Sequence, residues 1–323
     1  MANDFSADPR VKAFYQFENN LNDSKGGNHL IDHNTVGFTS ADMKEGTYAA
    51  DFEKDNAEWG SRPDSQLDAG FPLKSGDAVK KIAVCFWIKP ESNISPGYLV
   101  AKYDTNGRRS LAIVRDYAWL KLYCGFNNGD SAETIDTGYQ INNGEWYHVG
   151  VSVDGVNRTA YIKVFRASNS AVTEYFKTFA NQLHVEDADF TIGARHEGNA
   201  AYCHDGLLDE VVVFNELLTA KEIDAIRTGS YSYPMTEVRV EAAGVQVGFT
   251  DQDGFVRVDA AGLMAAYGLF AEIGEVQVNA GGLMVAYGVN PPIVTRRVFP
   301  VPNRVLRYQT QWGKRIFPVS YWE

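Results

Sequence analysis

Ile82-Ala-Val-Cys-Phe-Trp-Ile88, followed by Lys89-Pro90, decides the fold of this 323-residue chain. The near-continuous apolar run leaves no polar face, and proline closes it where a sheet would need a backbone amide. It reads as a strand central to a β-sandwich.

The neighbouring segments fit around that strand. Trp146-Tyr-His-Val-Gly-Val-Ser-Val153 alternates up to Asp154-Gly155, a tight-turn signal, and Thr159-Ala-Tyr-Ile-Lys-Val-Phe165 completes a hairpin. Val11-Lys-Ala-Phe-Tyr-Gln-Phe17 alternates before the loop-forming residues Glu18 to Gly27, and Leu207-Leu-Asp-Glu-Val-Val-Val-Phe214 is a further strand. A helix follows. Thr219 caps it, Glu222 holds the capping-box position, Ile223 and Ile226 form its apolar face, and Gly229 stops it. Strands at roughly 8–15-residue spacing with one late helix predict an all-β, two-sheet sandwich.

Length and composition agree. The chain exceeds the usual size of one domain, and its 45% apolar content supports a sizeable core. Aromatics at 13% and 29 glycines favour β structure over helix. The opening residues lack the basic and apolar regions of a signal peptide, and no apolar run nears the roughly 18 residues of a membrane span. The expectation is a product made in a cytoplasm, with no membrane insertion. Cys85, Cys124 and Cys203 are odd in number and spaced for neither a zinc site nor a disulfide framework, so they read as small buried hydrophobes.

Composition changes after Pro234. Val238-Arg-Val-Glu-Ala-Ala-Gly, Val256-Arg-Val-Asp-Ala-Ala-Gly and Val276-Gln-Val-Asn-Ala-Gly-Gly form an internal repeat with offsets of 18 and 20 residues. Each repeat reads as a small hairpin, unable to bury its apolar face alone. The repeats must stack on each other, on the sandwich or on other subunits, and a homo-oligomer is expected. Three regions result: a sandwich over 1–233, a β-hairpin repeat region over 234–290 for oligomerisation and attachment, and an extended arm over 291–323. The arm carries Arg296, Arg297, Arg304, Arg307, Lys314 and Arg315 against Glu323 alone, a net of +5. The rest then holds −16 of the total −11. The acidic body argues against nucleic-acid binding, and the basic arm suits docking on an acidic protein surface.

Residues 10–229 resemble the laminin-G-like members of the concanavalin A-like lectin/glucanase superfamily. The resemblance is carried, in order, by Tyr15-Gln-Phe-Glu-Asn-Asn-Leu-Asn-Asp-Ser, Gly46-Thr-Tyr-Ala-Ala-Asp-Phe52, Phe86-Trp-Ile-Lys-Pro90, Trp146-Tyr-His-Val149, and Gly206-Leu-Leu-Asp-Glu-Val-Val-Val-Phe-Asn215. It implies a jelly-roll sandwich and a structural Ca²⁺, with Glu18 and Asp209 supplying carboxylates and Asn20, Asp23 and a carbonyl near Gly46 as further candidates. His148 falls at a structural position of the family. The repeats are similar to segments of tailed-phage virion proteins that attach a display domain to the particle.

Related sandwiches include glycosidases with a Glu-x-Asp-x-x-Glu motif, whose two glutamates act as nucleophile and acid/base. Glu53-Lys-Asp-Asn-Ala-Glu58 matches that pattern. It lies in an apparent loop, because Asn56-Ala57 suits a strand poorly, and reads as a chance match. Glycan binding would use aromatic faces, for which Trp59, Tyr98, Tyr117, Trp119 and Tyr202 are candidates. The expected protein is non-enzymatic: a virion surface component, made in the host cytoplasm, that displays a lectin-like sandwich able to bind cell-surface glycans. Residues 235–323 would hold it to capsid or other virion proteins. The alternatives are a bacterial carbohydrate-binding or adhesion protein, and a glycoside hydrolase acting through Glu53 and Glu58.

Overall fold

The computed structural model describes residues 3–195 and 199–233, together with six short strands between residues 240 and 287. Arg296, Arg297, Arg304, Arg307, Lys314 and Arg315 lie outside the described residues. The chain divides into two compact units, Met1–Ser232 and Tyr233–Glu323.

The first unit is a sandwich of two antiparallel sheets. Its strands are β1 (Val11–Tyr15), β2 (Ile31–His33), β3 (Gly37–Thr39), β4 (Ala49–Phe52), β5 (Trp59–Arg62), β6 (Lys81–Pro90), β7 (Ile94–Tyr103), β8 (Arg109–Tyr117), β9 (Trp119–Phe126), β10 (Ser131–Gln140), β11 (Tyr147–Asp154), β12 (Thr159–Arg166), β13 (Ala171–Thr178), β14 (Phe190–Ile192) and β15 (Gly206–Phe214). One sheet runs β13-β12-β11-β6-β15-β4-β3, with β1 paired to β15. The other runs β10-β9-β8-β7-β14-β5-β2.

The run over 82–88 is indeed central, between β11 and β15. Ile82, Val84, Phe86 and Ile88 join the main core between the sheets. Ala83 and Cys85 point the other way, into a second cluster with Phe5, Phe14, Phe214, Leu218, Ile223, Ile226 and Tyr231. Both faces of the strand are therefore covered, which is why its sequence lacks a polar side. The cover on the outer face is helix α1 (Ala220–Arg227). Its capping box is complete: the Glu222 amide donates to Thr219 Oγ1 at 3.2 Å and the Thr219 amide to Glu222 Oε2 at 2.7 Å. Gly150 makes the close approach possible, since a Cβ there would lie 2.5 Å from Ile223 Cγ2.

Among the described residues no α-helix covers the other side of the sandwich, where a 3₁₀ turn over Ala200–Tyr202 packs against β7. Along β8, Leu111 and Ile113 enter the main core, whereas Ala112 and Val114 face outward. Period-two alternation delivers this face to its own set of side chains.

In the second unit the strands are β16 (Val240–Ala243), β17 (Gln246–Thr250), β18 (Arg257–Ala261), β19 (Met264–Gly268), β20 (Gln277–Ala280) and β21 (Met284–Tyr287). The hairpin reading gives way here. Each strand pairs in parallel with its equivalent in the next repeat, giving sheets β16-β18-β20 and β17-β19-β21. Val240 faces Val258, and Tyr267 faces Tyr287. Parallel pairing between repeats satisfies the backbone while setting like residues side by side, which a hairpin within one repeat does not do.

Gly150→Ala should destabilise the sandwich by about 1–3 kcal/mol through overpacking under α1. A thermal melt followed by circular dichroism checks this, and an unchanged midpoint would count against the tight seating of the helix.

Candidate functional site

Two regions of the sandwich gather chemistry. The first is acidic. Glu18 leaves β1 and meets the β3–β4 loop at Gly46, whose φ is +66°. A Cβ at Gly46 would sit 1.5 Å from Glu18 Oε1, so glycine is required by both space and backbone conformation. The Thr47 amide donates to Glu18 Oε1 at 2.8 Å. From β15, the fully buried Asp209 takes the amides of Lys44 at 2.8 Å and Glu45 at 3.1 Å on Oδ2. Its Oδ1 is buried and meets no donor of good geometry. Glu210 is also buried, at φ +53°, inside a register shift between Asp209 and Val212.

Glu18, Glu45, Asp209 and Glu210 therefore influence one another. Burial pushes the Asp209 carboxyl up to about 7 despite its backbone donors, and the charge of Glu18 adds to the rise. Burial, with the charges of Asp209, Glu45 and Glu18, pushes Glu210 up to about 9. Such a group of oxygens favours a proton or a hard cation over open negative charge. Asn20 and Asp23 serve the loop itself. Asn20 accepts from the Asn22 amide at 2.9 Å. Asp23 accepts from the amides of Phe14, Lys25 and Asn28 at 2.9, 2.8 and 3.1 Å.

The second region is the outer face of the seven-stranded sheet. Ala101, Ala112 and Val114 form a floor of small side chains with Tyr98 and Tyr103, and Tyr123 and Tyr202 pack against it. Tyr98 lies 5.8 Å from Tyr103, 6.1 Å from Tyr123 and 6.3 Å from Tyr202, ring centre to ring centre. The Arg195 guanidinium sits 3.7 Å from the Tyr202 ring centre. Along β9, Trp119, Lys121 and Tyr123 alternate with the core residues Leu120, Leu122 and Cys124, so the three share the outer face. Lys121 pairs with Asp116 at 2.8 Å and approaches Asp136 at 3.7 Å. At the β8–β9 turn, Tyr117 is 60% exposed and Trp119 36%. Buried Arg115 ties this end together by donating to the carbonyls of Ser92 and Ile141 at 2.7 and 2.8 Å.

Of the aromatic candidates, Tyr98 and Tyr202 meet in one cluster, and Trp119 shares their sheet face. Trp59 is placed apart, buried and stacked on His33 at 3.9 Å. Sequence reasoning missed Tyr103, Tyr123 and Arg195. The alternation Trp119-Leu-Lys121-Leu-Tyr123 carried the signal for Tyr123, whereas Arg195 arrives from a loop.

The remaining motifs resolve into structure. Glu53 precedes a short 3₁₀ turn over Lys54–Asn56, and Glu58 follows it, so the two do not share a strand. Both Glu58 oxygens are engaged: Oε2 by the amides of Glu53 at 3.1 Å and Gly37 at 3.3 Å, Oε1 by Asn56 Nδ2 at 2.9 Å. Oxygens of Asp51, Glu53 and Glu91 lie within 4.8 Å of one another. Burial raises all three carboxyls, with the charges of Glu58 and Asp205 adding to the rise at Asp51 and those of Asp51 and Asp205 adding to it at Glu53 and Glu91. The three cysteines are free and buried. Burial holds the Cys203 thiol up at about 11 and His204 down at about 3, which leaves that pair without thiolate or imidazolium at neutral pH. His148 is buried against Trp87, 5.1 Å between rings, and is likewise pushed to about 3. No helix among the described residues is long and apolar enough to cross a membrane.

Residues 65–224 match the Laminin_G_3 family model, described as the concanavalin A-like lectin/glucanases superfamily. That stretch of the sandwich is similar to the Laminin_G_3 family. No curated protein matches the chain. Among solved structures it is similar to the binding domain of botulinum neurotoxin DC in complex with SialylT, at 11% identity and a TM-score of 0.47, over 69% of this chain and 52% of that one. It is also similar to the CBM40 of a Ruminococcus gnavus IT-sialidase bound to α2,3-sialyllactose, at 16% identity and a TM-score of 0.38, over 46% and 83%. The enzymatically active domain of bacteriophage CBA120 tailspike protein 2 is similar at 12% identity and a TM-score of 0.44, over 62% and 30%.

The acidic region should make the sandwich sensitive to pH when no divalent cation is present. Asp209 and Glu210 bind protons more tightly folded than unfolded, where carboxyls titrate near about 4. Their contribution to stability is full below that pH and is lost as pH rises through about 7 and then about 9. In EDTA, Asp209→Asn should therefore flatten the decline of the melting temperature between pH 5 and 8. A slope identical to wild type would contradict this.

Proposed function

We propose that the sandwich is a non-enzymatic glycan-binding head, with its ligand lying along the outer face of the seven-stranded sheet. The observation behind this reading is the aromatic cluster there, read as a trough. Ala101, Ala112, Val114, Tyr98 and Tyr103 are buried beneath it, while the half-buried Tyr123 and Tyr202 and the exposed Trp119 offer ring faces. Aromatic faces stack on the apolar faces of sugar rings, while Asp116, Lys121 and Asp136 offer hydrogen bonds to hydroxyls beside them. Replacing Trp119 or Tyr123 with alanine should weaken binding on a glycan array at least about tenfold, on the order of 1.4 kcal/mol. Met43→Ala, at an exposed site in the β3–β4 loop, should leave it unchanged. Binding that survives both aromatic substitutions would reject the trough. A reducing-sugar assay on any bound glycan should return no product, because Glu58 is engaged on both oxygens and is poorly placed to act with Glu53.

The acidic region is proposed to take a structural Ca²⁺ through Glu18, Glu45, Asp209 and Glu210, with a backbone carbonyl near Gly46. The buried, unsatisfied Asp209 Oδ1 supports this reading, since a cation would replace the proton it otherwise favours. Millimolar Ca²⁺ should raise the melting temperature of wild type and leave Asp209→Asn unmoved. Equal shifts in both proteins would remove calcium from the account.

The C-terminal unit is proposed to fix this head to a particle, as a virion surface component. Its in-register repeats support the reading, because such strands form a rigid stalk from little sequence. Deleting residues 235–323 should abolish particle incorporation while preserving glycan affinity. A deletion that still incorporates would favour a free adhesion protein.

A further inference from the structure

Among the described residues five strands of the sandwich have a neighbour on one side only: β13, β3 and β1 in one sheet, β10 and β2 in the other, and β1 shifts register between Val11 and Ala13. An open strand edge pairs readily with another chain, and proteins blunt such edges by shortness, bulges or charge. β2 and β3 have three residues each. β10 shifts register between Asp136 and Gln140, and Gly138 there turns to φ +73°. β13 is neither short nor bulged, and its only charges are Glu174 and Lys177. All eight residues from Ala171 to Thr178 pair with β12 without a break, and the strand has no glycine or proline. Its Phe176 is 68% exposed and its Val172 46%, next to Tyr161 and Phe165 of β12.

We propose that β13 pairs antiparallel with β13 of a second copy of this chain, about a two-fold axis at Glu174, joining the two eight-stranded sheets into one. The register follows from the residues. In a continuous sheet, opposed residues must point to the same face, so the axis passes through a residue, and only Glu174 or Tyr175 gives a near-complete overlap. An axis at Tyr175 sets Phe176 against Glu174. An axis at Glu174 sets Phe176 against Val172 twice, so that each exposed apolar side chain covers the other. The two glutamates then meet at the axis, each already paired with its own Lys163 at 2.9 Å. Each Lys163 also pairs with Asp224 at 2.6 Å, which Arg227 approaches at 3.4 Å, so each half brings two cations for two carboxylates. A second copy suits this edge because self-pairing about Glu174 sets the exposed Val172 and Phe176 opposite each other.

The test uses the full chain. Phe176→Lys should halve the native mass measured by sedimentation. Under oxidation, Glu174→Cys should form a covalent dimer on a denaturing gel, while Phe176→Cys, facing Val172 of the second copy, should not. The three native cysteines are buried and add little background. Equal masses for wild type and Phe176→Lys, or cross-linking of Phe176→Cys to the same extent as Glu174→Cys, would overturn the proposal. A monomeric wild type would do the same and would leave the edge open to a different partner.

Discussion

Everything in the sandwich depends on covering β6 from both sides. A strand with no polar face is stable only where two layers close over it, and here the second sheet supplies one layer and α1 with the N-terminal aromatics supplies the other. That requirement fixes further choices. Gly150 has no side chain because Ile223 occupies the space, and the capping box sets where α1 begins so that Ile223 and Ile226 face inward. With the outer face of one sheet closed in this way, the opposite sheet carries the tyrosine cluster on its own outer face. The division between a helix-covered side and a tyrosine-bearing side thus follows from one apolar run.

The acidic region illustrates a different economy. Asp209 and Glu210 lie within a strand whose remaining residues are nearly all apolar, and they are tolerated because the register shift re-aims them toward the β3–β4 loop. Amides of Lys44 and Glu45 solvate one oxygen of Asp209, and the other is buried without a donor. Burying carboxylates destabilises a fold unless something compensates, so this position links the order of the β3–β4 loop to the charge state of Asp209.

Much of this was legible in the sequence, and the reasons are specific. The strand over 82–88, the hairpin around Asp154-Gly155 and the helix after Thr219 were readable because each rests on local chemistry: unbroken apolarity, turn residues and a cap. Gly46 against Glu18 was visible only through family resemblance, since their approach is a long-range event. The tyrosine cluster was half visible. Tyr98 and Tyr202 were singled out as aromatics near loops, yet their convergence depends on how β7 and the segment before β15 are brought together. The repeats show the opposite failure. Two short strands around a small-residue turn have the local signature of a hairpin, and the choice of parallel pairing between repeats is made by register across 18 and 20 residues, which no local window contains.

That register has a consequence for how such a chain can change. Each added copy of the repeat contributes one strand to each of two small sheets, lengthening the stack by roughly 4.8 Å without disturbing the copies already present. The spacing difference of two residues between successive copies is absorbed in connectors, since the paired residues remain equivalent. The C-terminal unit is therefore a ruler whose length can be revised by duplication or loss of whole graduations.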